Sequence, residues 1–245
     1  MGAARAVARR ICARRAERKR LRYQFKHYLR GDGIEIGALH EPYPPLPHGR
    51  VTYVDKFDYD ELRRTNPDVP ATAIVAPTIL ADAHDLDPIE DRSVDFIIAS
   101  HVFEHLHNPI RALQSWHRVL VHNGVVLLIV PDARYTFDRG RPLTTFDHLL
   151  WDFTNDPSPL KTLRDIHHIA ECNLNMHDDL DVPGALDLAQ TIARETYNTH
   201  FHVWTHETLV DHLAKVGNAT GVALRLREAE NDGSLESVLI LQASP

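Results

Sequence analysis

Short apolar runs alternate with amphipathic stretches along most of this chain. Residues 34–36 and 51–54 fit the first two strands, and residues 58–64 fit a short helix. Residues 94–99 and 125–130 are compact apolar runs, which is typical of central strands buried on both faces of a sheet. Because strands alternate with helices, the pattern predicts an α/β domain with a mainly parallel sheet.

The segment between the two central runs predicts a crossover helix. Pro109 stands where a first-turn proline is tolerated, and apolar residues recur at helical spacing as far as Leu120. Asn123 and Gly124 are expected to end this helix. The result is one βαβ unit.

The last forty residues predict a helix followed by an antiparallel hairpin. Thr205 is suited to cap the helix, and residues 222–226 and 237–241 are β-rich runs. They flank a turn-forming cluster at residues 231–233, so we expect them to pair at one end of the sheet.

Residues 131–204 interrupt this alternation. Connections in such sheets are usually short, so an insertion of this length predicts a helical lid or substrate pocket above the strand ends. We therefore divide the chain into residues 1–30, a basic helical extension, and residues 31–245, one α/β domain that contains the insertion.

Composition narrows the class of protein. The chain has 245 residues, 43% of them hydrophobic, and contains no apolar run long enough for a membrane-spanning helix. No apolar segment follows the basic N-terminus, so we expect a cytoplasmic protein without a secretory signal. Cys12 and Cys172 form no CxxC pair, which argues against a disulfide framework and a cysteine-rich zinc module.

Charge is distributed unevenly. The net charge is -7, yet residues 1–30 hold 11 of the 27 Lys and Arg and one acid. The remaining chain is strongly acidic and would repel a phosphate backbone, so a nucleic-acid partner is not expected. Residues 1–30 favour peripheral contact with an anionic membrane. The alternatives are a transit-like leader, or a leader whose last turns pack on the acidic body.

Two sequence clusters indicate a nucleoside site. A glycine at the end of the first predicted strand, Gly37, lets a ligand approach the backbone, and Asp55 ends the second strand, where an acid can accept from ribose hydroxyls. A dinucleotide needs more glycine than the loop after Gly37 offers, so NAD and ATP are disfavoured.

Two further clusters, at residues 81–84 and 95–106, complete an ordered series. With them, the chain resembles the class I S-adenosylmethionine-dependent methyltransferases of the broad type 11 group, over about residues 31–135 and the terminal hairpin. The resemblance implies a Rossmann-like, seven-stranded sheet and S-adenosylmethionine as the cofactor. It also implies cofactor contacts at the loop after strand one, the ribose, the adenine and the methionine end, made by Glu35, Gly37, Ala38, Asp55, Asp82, Ala83, Ser100 and His101.

Histidines are the candidate catalytic residues. A hydroxyl acceptor needs a base near pH 7, which suits a neutral imidazole, and we assign this role to His105, His200 or His202. His200 and His202 flank Phe201, so on an extended segment both would point to one face. A metal held by this pair with His167 or His168 and Asp178 is the less favoured alternative, since 17 histidines make such pairs common by chance.

Residues 131–148 follow the fifth predicted strand and are rich in Arg, Asp, Thr and aromatic residues. Their position predicts a wall of the acceptor site, with Asp132, Arg134 and Tyr135 as substrate contacts. The run resembles bacterial methyltransferases of surface-polysaccharide synthesis, which implies a sugar hydroxyl as acceptor. The alternative is a structural loop held by its own salt bridges.

The sequence therefore predicts a methyltransferase that modifies a small polar acceptor, with the oxygen of a glycan precursor as the favoured target. A methyltransferase-like scaffold without turnover is the second hypothesis, because Ala38, Leu39 and His40 occupy positions where the related enzymes have glycines.

Overall fold

A computed structural model describes residues 21, 23–156, 170, 181–195, 199–231, 233 and 235–244. Most of the predicted N-terminal helix and a large part of the insertion lie outside these residues. Within the described part, no helix has both the length and the apolar character that a membrane crossing requires.

Seven strands form one sheet in the order β3-β2-β1-β4-β5-β7-β6. Neighbours among the first five strands pair in parallel, and β7 pairs antiparallel with both β5 and β6. The predicted fold class and its terminal hairpin are thus confirmed. The strands are β1 Gly31–Ile36, β2 Gly49–Asp55, β3 Ile79–Leu80, β4 Val94–Ser100, β5 Leu120–Pro131, β6 Leu224–Glu230 and β7 Glu236–Ala243.

The helices begin where the sequence supplies a capping side chain. Asp58, Asn108 and Thr205 each accept a hydrogen bond from the backbone N–H three residues later, and Thr205 forms a reciprocal pair with Thr208. The helices are α1 Tyr59–Thr65, α2 Pro109–Val119, α3 Phe146–Asn155, α4 Val182–Glu195 and α5 His206–Thr220.

The crossover helix ends earlier than the sequence predicts. Leu120 leaves the helical conformation and pairs with Val94 of β4, so β5 begins at Leu120 and contains Asn123 and Gly124. The pairing of Leu120 with β4 therefore outweighs the helical spacing that placed Leu120 in the helix. Asn123 adopts a positive φ of 63° within β5.

Each face of the sheet carries its own core. On one face, Trp116 of α2 and Leu213 of α5 pack against apolar residues of β4, β5 and β7. On the other face, Leu21, Phe25 and Leu29 cover Phe96, Leu127 and Ile240, which lie on three adjacent strands. The last residues of the basic extension therefore pack on the domain through apolar side chains.

Candidate active site

A cavity of about 530 Å³ opens at the edge of the sheet where the parallel strands β1, β2 and β4 end. It brings together all eight predicted cofactor residues and one predicted catalytic residue. They are Glu35, Gly37, Ala38, Asp55, Asp82, Ala83, Ser100, His101 and His105.

The floor of the cavity is a tight turn after β1. Gly37 has a φ of 67°, and its N–H donates to the carbonyl of Val54 at 2.9 Å. A Cβ on Gly37 would lie 2.9 Å from a methyl group of Val102, so a side chain here would collide with its neighbour. Leu39 also has a positive φ, of 43°, although it is not glycine.

Glu35 fixes the loop that borders this turn. Its carboxylate is almost wholly buried and accepts from the N–H of Tyr43 at 2.8 and 3.0 Å. Glu35 therefore holds the proline-rich loop after Gly37 against the sheet as well as lining the cavity.

Asp55 ends β2 at the cavity wall. Its Oδ1 accepts from the N–H of Phe57 at 3.0 Å. Burial raises the pKa of this carboxyl, and the backbone hydrogen bond and Lys56 only partly oppose that effect. A hydrogen-bond donor from a bound ligand would therefore stabilise the ionised carboxylate.

Asp82 is held in its ionised form by His84. Asp82 Oδ1 accepts from the backbone N–H of His84 at 2.8 Å and from its Nδ1 at 2.7 Å. These hydrogen bonds hold the pKa of Asp82 far below its usual range, despite partial burial. The Ala83 carbonyl accepts from Trp116 Nε1 at 2.9 Å, which fixes the backbone beside Asp82.

His101 lies at the far end of the cavity with a φ of 55°. Its Nε2 is 2.7 Å from Glu236 Oε1, and its Nδ1 is 3.5 Å from Glu104 Oε1. Burial lowers the pKa of the imidazole, but the two glutamates outweigh it and raise the pKa to about 9. His101 is thus a cation at neutral pH and cannot serve as the base.

His105 lines the same end of the cavity but carries no charge. It lies in a single 3-10 turn, Phe103–His105, and not in the crossover helix, which begins only at Pro109. Its Nδ1 donates to the carbonyl of Thr199 at 2.9 Å, and burial lowers its pKa. The Nε2 atom of the neutral imidazole therefore carries the lone pair.

His200 and His202 do not point to one face, so that prediction is wrong. His200 contacts Asp138 and the ring of His105, whereas His202 packs between His148 and Trp204. The alternation of side chains holds in a sheet, but residues 199–205 form no strand. Among the described residues, His200 and His202 belong to two different groups of candidate metal ligands. His167, His168 and Asp178 lie outside the described residues.

The predicted acceptor wall also needs correction. Asp132 is wholly buried, and its carboxylate accepts from Arg134 at 2.6 Å and from the N–H of His206 at 3.0 Å. It is a structural anchor and lines no described cavity. Arg134 and the half-exposed Tyr135 line a separate cavity of about 400 Å³. The salt-bridged alternative is observed for Arg134 with Asp132 and for Arg141 with Asp138.

Several residues in and around the cavity were not predicted as site residues. His107 and Phe201 line the His105 end of the cavity, and burial lowers the pKa of His107 to about 4. Glu104, Asp138 and Glu236 lie behind the cavity as partners of its histidines. Asp138 and Glu236 contact His200 and His101 across 62 and 135 residues of chain, so no local motif marks them. Glu104 lies only three residues from His101.

Comparison with known proteins supports the class that the fold and the site define. Residues 31–128, less than half of the chain, match a family described as a methyltransferase domain. This match supports a class I S-adenosylmethionine-dependent methyltransferase with S-adenosylmethionine as its cofactor. The match covers β1 to most of β5, and therefore every strand end at the cavity.

Individual relatives are more distant. An uncharacterized 37.1 kDa protein in transposon TN4556 of Streptomyces fradiae is 32% identical over 104 residues, which are 42% of this chain and 28% of the relative. The chain thus matches under a third of the length of that relative.

Among solved structures, the PH0226 protein of Pyrococcus horikoshii has a TM-score of 0.51 at 14% identity, over 94% of this chain and 91% of that chain. A Rhodobacter sphaeroides protein described as a candidate zinc-dependent alcohol dehydrogenase has a TM-score of 0.52 at 15% identity, over 90% and 88%. At these identities the similarity shows a shared fold alone.

The residues of the cavity fit S-adenosylmethionine. The volume lies in the range of small-molecule sites, and Gly37 leaves room where a Cβ would intrude. Asp55 and Asp82 offer hydrogen-bond acceptors for a ribose and an adenine amino group, as the resemblance implies. Ser100 and His101 would then lie at the methionine end.

Proposed function

We propose that this protein transfers a methyl group from S-adenosylmethionine to a hydroxyl of a small polar acceptor, a sugar of a glycan precursor. One observation carries the proposal. Asp55, at the end of β2, and Asp82, just after β3, line the same cavity. The other end of this cavity holds His101 and His105. Such an arrangement separates a nucleoside-binding end from an end suited to chemistry.

The assignment of the two ends follows from charge. Both carboxylates lie away from the β4 end, while His101 is a cation and His105 is neutral. The cofactor supplies a methyl group already activated by its sulfonium, so the chain's task is to position the acceptor oxygen and remove its proton. A proton acceptor is therefore needed only at the His105 end.

A hydroxyl acceptor suits this end of the cavity. The Nδ1–H of His105 is bonded to Thr199, which leaves Nε2 as a proton acceptor. Phe201 lines the same region, and an aromatic face packs well on the apolar face of a sugar ring. These features favour O-methylation of a sugar over the alternative of a scaffold without turnover.

Calorimetric titration with S-adenosylmethionine and S-adenosylhomocysteine tests the first step. We expect both to bind at one site per chain, and no binding at millimolar concentration would overturn the proposal. Incubation with methyl-labelled cofactor and a panel of nucleotide sugars and lipid-linked glycans tests the second step. Cofactor binding without methylation of any acceptor would instead favour the scaffold hypothesis.

We also propose that the basic residues 1–30 hold the protein at an anionic membrane surface, where lipid-linked glycans are made. The support is their charge, with 11 Lys and Arg against one acid. Sedimentation with vesicles should show binding to phosphatidylserine-containing lipid that is lost at high salt. Equal binding to neutral vesicles would contradict an electrostatic contact.

A further inference from the structure

Three side chains, Glu104, His105 and His200, meet behind the end of the cavity. Each offers one metal-binding atom, and these atoms all lie within 4.8 Å of one another. Glu104 is 1% exposed and His200 is 8% exposed, while His105 lines the cavity. The two imidazole rings meet nearly edge to face, with centroids 4.7 Å apart.

The carboxylate of Glu104 is buried beside a single ion-pair contact. Within the part of the chain that the structure describes, neither of its oxygens has a hydrogen-bond partner. The nearest charged atom, His101 Nδ1, is 3.5 Å away, which is an ion-pair distance but not a good hydrogen bond. Burying a carboxylate in this way is costly, and a bound cation would offset that cost.

His105 and His200 use the same ring nitrogen, Nδ1, for their hydrogen bonds. The Nδ1 of His105 faces the Thr199 carbonyl at 2.9 Å, and the Nδ1 of His200 faces Asp138 Oδ2 at 2.6 Å. A carbonyl or carboxylate only accepts hydrogen bonds, so Nδ1 carries the proton in each ring. An imidazole that carries its only proton on Nδ1 has its lone pair on Nε2, which is the atom that can bind a metal ion.

The outer partners are themselves fixed. Arg141 contacts Asp138 Oδ1 at 2.7 Å and donates to the His200 carbonyl at 3.0 Å, so it restrains both the carboxylate and the histidine. A histidine whose outer N–H is bonded to a carboxylate or a carbonyl is the usual arrangement around a protein-bound metal.

We propose that Glu104, His105 and His200 bind one divalent first-row transition-metal ion. Two imidazoles and one carboxylate suit ions such as Zn²⁺ or Fe²⁺ better than Mg²⁺ or Ca²⁺, which prefer oxygen ligands. The metal site stands on these contacts alone. A role in catalysis rests on the proposed function: the ion would lower the pKa of a bound acceptor hydroxyl, and the proton would pass to water in the cavity. His105 would then be a ligand in place of the base assigned to it above.

A second cluster, His148, Asp152 and His202, competes for the same kind of ion. In this cluster His148 Nε2 lies 2.9 Å from Asp152 Oδ2. Two of the three candidate metal ligands therefore already contact each other. None of these three residues lines the cavity at the ends of β1, β2 and β4. The experiment must therefore tell the two clusters apart.

Chelator-treated protein is titrated with Co²⁺, whose visible absorption reports ligand geometry, and Zn²⁺ is then added as a competitor. We expect one equivalent of Co²⁺ to bind and Zn²⁺ to displace it. Glu104→Gln and His200→Gln should weaken Co²⁺ binding by more than about 10-fold, and Asp138→Asn by about 10- to 100-fold. His148→Gln is the matched control and should leave the affinity unchanged.

Two results would overturn the proposal: no Co²⁺ spectrum at millimolar metal, or loss of binding in His148→Gln with retention in Glu104→Gln. Near-ultraviolet circular dichroism checks folding, and if Glu104→Gln is misfolded, Asp138→Asn carries the test. S-adenosylmethionine binding is measured separately on the same samples. Failure there would count against the proposed function and leave the metal result standing.

Discussion

His101 at the end of β4 lies 2.7 Å from Glu236 at the start of β7, measured from Nε2 to Oε1. β5 separates these two strands in the sheet, so the contact passes over the end of β5. Glu236 is wholly buried, and the imidazolium of His101 balances its charge. The terminal hairpin, which lies outside the matched family region, thus helps to build the cavity.

Glu236→Gln keeps the shape of the side chain and removes its charge. We expect the free energy of unfolding to fall by about 1–3 kcal/mol, because a buried charge-assisted hydrogen bond is lost. Urea denaturation measures this change. Glu90→Gln, at an exposed position, is the control and should change stability by less than about 0.5 kcal/mol. Equal stability of both variants would mean that the pair contributes nothing.

Asp55→Ala should weaken S-adenosylmethionine binding by about 1–3 kcal/mol, or about 5- to 150-fold, because charge-assisted hydrogen bonds to the ribose are lost. Calorimetric titration measures the dissociation constant. Asp211→Ala removes a half-exposed carboxylate on α5, far from the cavity lining, and should bind as wild type. Unchanged affinity in Asp55→Ala would show that the ribose lies elsewhere.

Gly37→Ala should reduce both stability and cofactor binding. A side chain at a φ of 67° costs about 1–2 kcal/mol, and the new Cβ would collide with Val102. Gly221→Ala is the matched control, with a φ of 78° and no atom within 4 Å of its Cβ position. We expect the control to lose stability yet retain cofactor affinity, so equal affinity losses would contradict a local role for Gly37.

His212 is buried on α5 beside Phe146, and burial lowers the pKa of its imidazole. Between the folded pKa and about 6.5, the unfolded chain therefore binds more protons than the folded protein, and stability falls as pH falls. Relative to wild type, His212→Leu should gain in urea midpoint as the pH drops from about 8 to about 5. The exposed residue His122 supplies the control His122→Leu. A pH-independent difference for His212→Leu would refute the assignment.

Much of the fold could be predicted from apolar patterning. β4 and β5 are buried along most of their length, so their sequences are nearly continuous apolar runs. β3 could not be predicted, because it has only two residues and pairs with only the end of β2. Leu120 misled the helix prediction, since its apolar side chain fits a helix face and a buried strand equally well.

The candidate site was predictable only where it follows strand ends. Gly37 directly follows β1 and Asp55 ends β2, so their positions mark them. Asp82 was assigned through the family resemblance, because β3 before it is too short to predict. Glu236 contacts His101 across 135 residues of chain, and Asp138 contacts His200 across 62. No local sequence pattern predicts contacts between residues so far apart. The pairing of His200 with His202 failed because the rule applied there belongs to regular strands.

Leu21, Phe25 and Leu29 shield one whole side of the central strands, although the matched family region begins only at residue 31. A truncation at that boundary would expose Phe96, Leu127 and Ile240 to water. These three residues would then form a continuous exposed apolar patch. We therefore expect a fragment that begins before residue 21 to stay monodisperse during purification. A fragment that begins at residue 31 should aggregate.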